Sequence, residues 1–404
     1  MNITYISTSR IPSEKANTFQ VIQMCDALVS IGNSLILLHP HRVNTPSMMH
    51  VSDIHTYYSI RNDFQIVSLP SIDFLWSAQR RLSWLPFVLR LLQNRLFFPL
   101  MINSYSYSVE AYLKHQAAEV LYLRDLSLVI YLMRKLPALI PHIIYEAHKF
   151  PSSEREVNWL PNLKKIRGVV TLTDSLRELF CQKGVPVDKI VTVPDGVDLY
   201  RFENMPDQLK ARQALGLPAQ RKIISYTGHL YAWKGADTLV AAAHFLSDEY
   251  LICLVGGTPE DVAQMRRFVT EQNLTEKVRV IGHIPPTNIP AYLAASDILV
   301  LPNSGKQAIS RYYTSPLKLF EYMAARRPMV ASDLPAIREI LNETNAVFFR
   351  PDQPYDLAQQ IQWVVDHPSE SESLADQART DVEMYTWHNR AKRIIEFASS
   401  PGGV

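Results

Sequence analysis

Three cysteines in 404 residues is few, and Cys25, Cys181 and Cys253 stand far apart with no CxxC pair among them. That argues against a disulfide framework and a cysteine zinc site, and fits a reducing cytosol. Charge of one sign is lacking too. Lys and Arg number 41 against 39 Asp and Glu, a formal net charge of +2. No nucleic acid partner is expected, because such binders carry a stronger basic bias. No run of about twenty residues is free of charge, so no transmembrane helix is expected. The opening MNITYISTSR has no basic leader and runs straight into a strand pattern. No signal peptide is therefore expected, and the expected location is the cytoplasm. There is also no Walker loop and no GxGxxG after the first strand, which leaves a nucleotide hydrolase and a classical dehydrogenase without support.

The chain does have an ordinary globular balance, 47% hydrophobic and 20% charged, and enough length for two or three domains. Short apolar runs alternate with helical patterns. The first half offers strands at 3–7, 34–40, 65–70, 120–124, 142–147, 169–173 and 190–194. The second half offers them at 223–228, 251–257, 278–283, 298–303, 328–332 and 346–350. Such alternation means parallel sheets covered by helices on both faces. The two runs meet near PDGVDLYRFENMPDQ, residues 194–208. The expectation is an α/β chain of two Rossmann-like domains, 1–194 and 195–385, with a helix in 386–404 packing back towards the first domain. Residues 74–102 hold Arg80, Arg81, Arg90 and Arg95, two tryptophans and no acid. They read as amphipathic helices on the sheet, or as a peripheral contact with an anionic membrane.

Open parallel sheets bind ligands beyond the carboxyl ends of their strands. Most of the clustered Gly, Lys, Arg and His fall in those loops. In SPLKLFEYMAARRPMVASD, residues 315–333, Ser315 can cap a helix and Pro316 suits its first turn. Leu317, Phe320 and Ala324 recur at helical spacing and should face a core. Lys318 and Glu321 are three residues apart. That spacing makes either a surface ion pair or part of a ligand site at the sheet's mouth.

TGHLYAWKGADTL, IGHIPPTNIPAYLAASDILVLP and SPLKLFEYMAARRPMVASDLPAIREIL resemble, in order and spacing, the C-terminal domain of the retaining GT-B glycosyltransferases of family four. VTVPDGVDLYRF resembles that family's interdomain segment, ITYISTSRIPSEKANTFQVIQMCDALVSIG its N-terminal start, and YTWHNRAKRI its closing helix. The resemblance covers nearly the whole chain and is loosest over residues 40–140. It implies a GT-B fold that transfers a sugar from a nucleotide-sugar to a sugar or lipid-linked acceptor. The donor, a UDP-sugar before a GDP-sugar, is a substrate, so no cofactor is implied.

The same resemblance assigns Glu321 to the donor ribose, a task suited to a carboxylate that takes two hydroxyl donors. Lys234 falls on the diphosphate and Gly228 on the loop that lets backbone approach it. The free amides from Ser315 through Pro316 and Leu317 to Lys318 can hold phosphate oxygens. His283 and Ile284 fall on the base-binding stretch, and His148 beside the sugar and acceptor. There are departures. Tyr313 stands eight residues before Glu321, where the family has a glutamate that serves the transferred sugar. His229 replaces an arginine, and Arg311 or Lys306 can supply the missing charge. Arg10, Lys15 and Asn17 replace the usual glycines of the acceptor-side loop. No DxD pair stands beside a donor loop, so no metal is expected. Two other readings stay open: a non-catalytic partner subunit of the same fold, and a sugar-nucleotide epimerase.

Overall fold

The computed structural model describes residues 1–46, 48–73 and 98–400. The amphipathic segment expected at 74–102 lies largely outside the described residues; only its end, from Phe98, falls in a described helix, Phe98–Leu113. The chain forms two compact units. One comprises Met1–Thr171, Arg177–Val193 and Ala391–Val404, the other Leu172–Leu176 and Pro194–Arg390.

The first unit is a seven-stranded parallel sheet. Its strands are β1 (Asn2–Ile6), β2 (Ser34–Pro40), β3 (Gln65–Leu69), β4 (Val120–Leu123), β5 (Ile143–Ala147), β6 (Gly168–Thr171) and β7 (Ile190–Thr192). They lie in the order β3-β2-β1-β4-β5-β6-β7. The central strands β4, β5 and β6 are buried at every position, as a sheet covered on both faces requires. This is why their sequences read as unbroken apolar runs. Helix α1 (Ala16–Ser30) follows β1.

The second unit is a six-stranded parallel sheet of β8 (Lys222–Thr227), β9 (Tyr250–Val255), β10 (Val278–Gly282), β11 (Ile298–Leu301), β12 (Met329–Ser332) and β13 (Val347–Phe349). The order is β10-β9-β8-β11-β12-β13. Each of the thirteen expected runs contains a strand. Helix α2 (Leu317–Ala324) buries Leu319, Phe320, Met323 and Ala324 in a core shared with Leu299, Leu301 and Ala331. Its partner residue Leu317 is only half-buried. Tyr322 pins α2 to the sheet by accepting a 2.7 Å bond from the Thr227 N–H.

Helix α3 (Trp387–Ser399) contains the last passage between units, at Arg390–Ala391. Within the second unit, the Val197 N–H donates to Tyr385 O at 2.9 Å and the Arg390 Nε to Pro194 O at 3.0 Å. Residues 172–176 were not expected there. Thr173 Oγ1 donates to Tyr312 O at 2.7 Å, and the amides of Asp174 and Ser175 donate to Glu339 at 2.8 and 3.2 Å. These bonds hold the short segment. Among the described residues no helix is long and apolar enough to cross a membrane.

Candidate functional site

In the second sheet the strand order reverses between β8 and β11, which is where an open α/β sheet opens a ligand crevice. The loops leaving these two strands are knitted together there. The Ser304 N–H and the Ser310 hydroxyl both donate to Trp233 O, at 3.0 and 3.1 Å. A Cβ on Gly235 would stand 1.7 Å from Pro302 O, and Gly235 has φ +71°. Only glycine meets both demands. Gly228 opens the same loop with φ +125°.

Lys234 closes that loop, its Nζ 4.0 Å from the Trp233 ring centroid. Burial lowers its pKa to about 8, with the Asp195 carboxylate opposing. His229 stacks on Tyr231 (5.0 Å, 7°), and Tyr231 on Trp233 (6.4 Å). The aromatic ladder within HLYAWK escaped sequence reading, although its i, i+2 spacing was visible.

Ser315 does not cap α2. Pro316 occupies the cap position in extended geometry, with no side-chain cap, and the Ser315 Oγ accepts from the Asp195 N–H at 2.9 Å. Pro316 has extended backbone angles, φ −77° and ψ 124°, so the helix starts one residue later. The first-turn amides of Leu317 and Lys318 therefore have no intrahelical partner and no capping side chain.

Glu321 does not pair with Lys318. Its Oε1 accepts from Arg201 Nη1 at 3.2 Å. Burial raises the Glu321 pKa and Arg201 works against that rise. Arg201 Nη2 donates to Pro286 O at 2.5 Å. Arg201 thus ties Glu321 to the loop that carries exposed His283 and half-buried Ile284. Its sequence signal, a lone arginine in DLYRF, was too weak to single out. Arg311 is exposed, its guanidinium 5.2 Å from the Tyr312 ring, and Tyr313 packs 6.3 Å from that same ring. Lys306 reaches Asp352 at 3.9 Å. Among the described residues no cluster of His, Cys, Asp and Glu could hold a metal ion.

In the first unit the order reverses between β1 and β4. Arg124, one residue past β4, donates to Asn17 O at 3.0 Å and Gln20 Oε1 at 2.6 Å, and lies 3.1 Å from His148 Nδ1. His148 Nε2 meets Glu146, which also takes the Tyr122 hydroxyl. A guanidinium can only donate, so His148 Nδ1 accepts and Nε2 carries the ring proton to Glu146. Glu146 is 2% exposed. A carboxylate at the end of an apolar strand was the signal that could have found it. Arg10 is engaged by Glu14 at 2.7 Å, Asn17 Nδ2 donates to Ser9 Oγ at 3.1 Å, and Lys15 is exposed at the start of α1.

Two parallel sheets, each with polar residues gathered where its strand order reverses, define a two-domain α/β protein. Residues 207–381 match the family "Glycosyl transferases group 1". Residues 207–381 are thus similar to a domain of that family, and the two sheets have the GT-B architecture of the solved structures that superpose on them. It is 24% identical over 234 residues to an uncharacterized glycosyltransferase of Methanocaldococcus jannaschii, covering 56% of this chain and 58% of that protein. It is 27% identical over 214 residues to the 2-deoxystreptamine glucosyltransferase of Streptomyces kanamyceticus, covering 51% and 53%. The chain thus spans little more than half the length of the curated relatives it matches. The fold extends further. HepE of Anabaena, crystallised with UDP and glucose, superposes with a TM-score of 0.74 at 16% identity over 99% of this chain and 100% of that chain. The sucrose-phosphate synthase of Thermosynechococcus elongatus gives 0.75 at 20% identity over 98% and 99%.

Proposed function

We propose that the protein is a retaining, metal-independent glycosyltransferase that moves a hexosyl unit from a nucleotide-sugar, a UDP-sugar before a GDP-sugar, to a sugar or lipid-linked acceptor. The observation that carries this reading is the meeting of Lys234, the uncapped amides of Leu317 and Lys318 and the Glu321 carboxylate around one strand-order reversal. Glu321 accepts from the ribose hydroxyls, and the His283–Ile284 backbone meets the base. Gly228 lets the loop approach the diphosphate.

As the anomeric carbon–oxygen bond breaks, its electron pair goes to the diphosphate. Lys234 and the helix amides stabilise that growing charge, and so act most strongly in the transition state. The acceptor oxygen bonds to the anomeric carbon on the same face, and its proton passes to the departing phosphate oxygen. His148, with both ring nitrogens held by Arg124 and Glu146, orients sugar or acceptor and is not needed as a base. Arg10 and Lys15, in the loop after β1, and Asn17, in the first turn of α1, form the acceptor side. Residues 74–102 are proposed to contact an anionic membrane surface. Recovery of all protein in the supernatant with anionic liposomes would remove that contact.

The test is incubation with radiolabelled UDP- and GDP-sugars and a panel of acceptors. Nucleotide release, a product with retained anomeric configuration by NMR, and turnover unaffected by EDTA are expected. An inverted product, or activity lost to EDTA and restored by Mg²⁺, overturns the mechanism. Tyr313 and His229 favour one second reading, a partner subunit of the same fold without turnover. That reading predicts nucleotide binding with no release.

A further inference from the structure

Lys318 is only 6% exposed, and among the described residues its ammonium group has no hydrogen-bond partner. An unpartnered buried cation is costly, and nothing in the hydrophobic packing of α2 calls for one. The side chain is aimed, however. Its Nζ lies 3.6 Å from the centroid of the Tyr226 ring, and 3.9 Å from where a Cβ on Gly228 would stand. It therefore points at the backbone of the loop that ends in Lys234. The groups around it come from every element packed there. Its own helix supplies Glu321 and Tyr322, β8 supplies Tyr226, the loop supplies Lys234, and Arg201 reaches in to Glu321. Asp195 faces Lys234 and lies 3.9 Å from Arg390. Arginines engage both nearby carboxylates, and the Lys234 charge lies within electrostatic reach of Lys318.

We propose that Lys318 is the second phosphate-binding cation of this site, and that a nucleoside diphosphate places its oxygens between the Lys234 and Lys318 ammonium groups. The proposal rests on the donor-binding reading above and deepens it. There, only the backbone of Lys318 has a role. A diphosphate supplies the acceptors that the Lys318 ammonium lacks, and it relieves the repulsion between Lys234 and Lys318. The aromatic ring under Lys318 holds the ammonium in place by a cation–π contact while leaving its N–H groups free to turn towards the ligand.

Burial first, and Lys234 second, hold Lys318 well below the ordinary lysine range. The free site therefore carries less than two full charges near pH 8. The bound diphosphate restores them, so binding takes up protons from solution.

The test is calorimetry of UDP and GDP binding to the full chain at pH 8 in HEPES and in Tris, which differ in ionisation enthalpy. Wild type, Lys318→Met and Lys318→Arg are compared, with uridine and guanosine as phosphate-free controls. Expected are proton uptake by wild type and a loss of about 10–100-fold in diphosphate affinity in Lys318→Met, the scale for hydrogen bonds to a charged group. The methionine variant takes up fewer protons, binds the nucleoside as before, and melts higher than wild type without ligand, because burying a lysine whose charged form is disfavoured costs stability at pH 8. Lys318→Arg keeps part of the affinity and takes up fewer protons, since only Lys234 still gains one on binding. If wild type binds the diphosphate and Lys318→Met binds it equally well with equal uptake, the lysine assignment falls and the donor reading stands. If wild type binds neither UDP nor GDP, both fall. Loss of nucleoside binding in Lys318→Met would also overturn the assignment, by showing a general disruption of the site.

Discussion

Glu321 shows what a single side chain contributes. A buried carboxylate needs donors, and Arg201 supplies one to Oε1 at 3.2 Å. Glu321→Gln keeps the shape but gives up charged acceptance towards both Arg201 and the proposed ribose hydroxyls. UDP binding should weaken by roughly 1.5–3 kcal/mol; unchanged affinity by calorimetry would take Glu321 out of the site. Lys234 makes a pH prediction. Its pKa in the free protein is lowered to about 8 by burial, and a bound diphosphate pulls it back up. Below pH 8 the group is charged whether or not ligand is bound, and it contributes no pH dependence. Above pH 8 each binding event must also protonate Lys234. UDP affinity should thus fall more steeply above about pH 8 than below it. Titrations between pH 7.5 and 9 check this, and Lys234→Ala should lose the part of the slope that Lys234 contributes.

At the scale of elements, the thirteen strands were legible because parallel sheets buried on both faces demand unbroken apolar runs. Positions such as Glu146 and Arg124 were not legible. They are polar residues at strand ends, and their meaning depends on which strands become neighbours. Sequence order does not reveal that β1 lies beside β4. The same holds for Arg201 and Glu321, 120 residues apart. Helix α2 was legible through its apolar spacing, but its cap was misread. Ser315 is a good capping residue by type, yet the proline after it and the Asp195 amide gave its hydroxyl another task. The contact between the loops after β8 and β11 is a further feature of neighbours. Gly235→Ala would force a methyl group against Pro302 O in a backbone region alanine avoids. A cost of roughly 1–3 kcal/mol is expected from the backbone alone. Thermal melting should show it, together with weaker UDP binding, since Lys234 is the preceding residue.

At the scale of the whole molecule, the first unit is assembled from three separate stretches of chain. The last of them enters late and closely. Phe397 occupies the space above Gly168 of β6, where a Cβ would stand 2.3 Å from its ring. Arg167 Nε donates to Ala398 O at 2.7 Å, and Arg393 Nη2 to Thr192 O at 3.0 Å. Ile394 is fully buried. Ile394→Ala should therefore destabilise the protein by about 2–5 kcal/mol, the usual range for emptying a core position, as urea unfolding would measure. A polypeptide ending at residue 194 should fail to give a sharp unfolding transition, and adding residues 386–400 as a separate peptide should partly restore one. On the ribosome the consequence is an order of events. The sheet that begins the chain waits for the last helix, so the second unit is synthesised in full, and free to fold, while the first still lacks its cover.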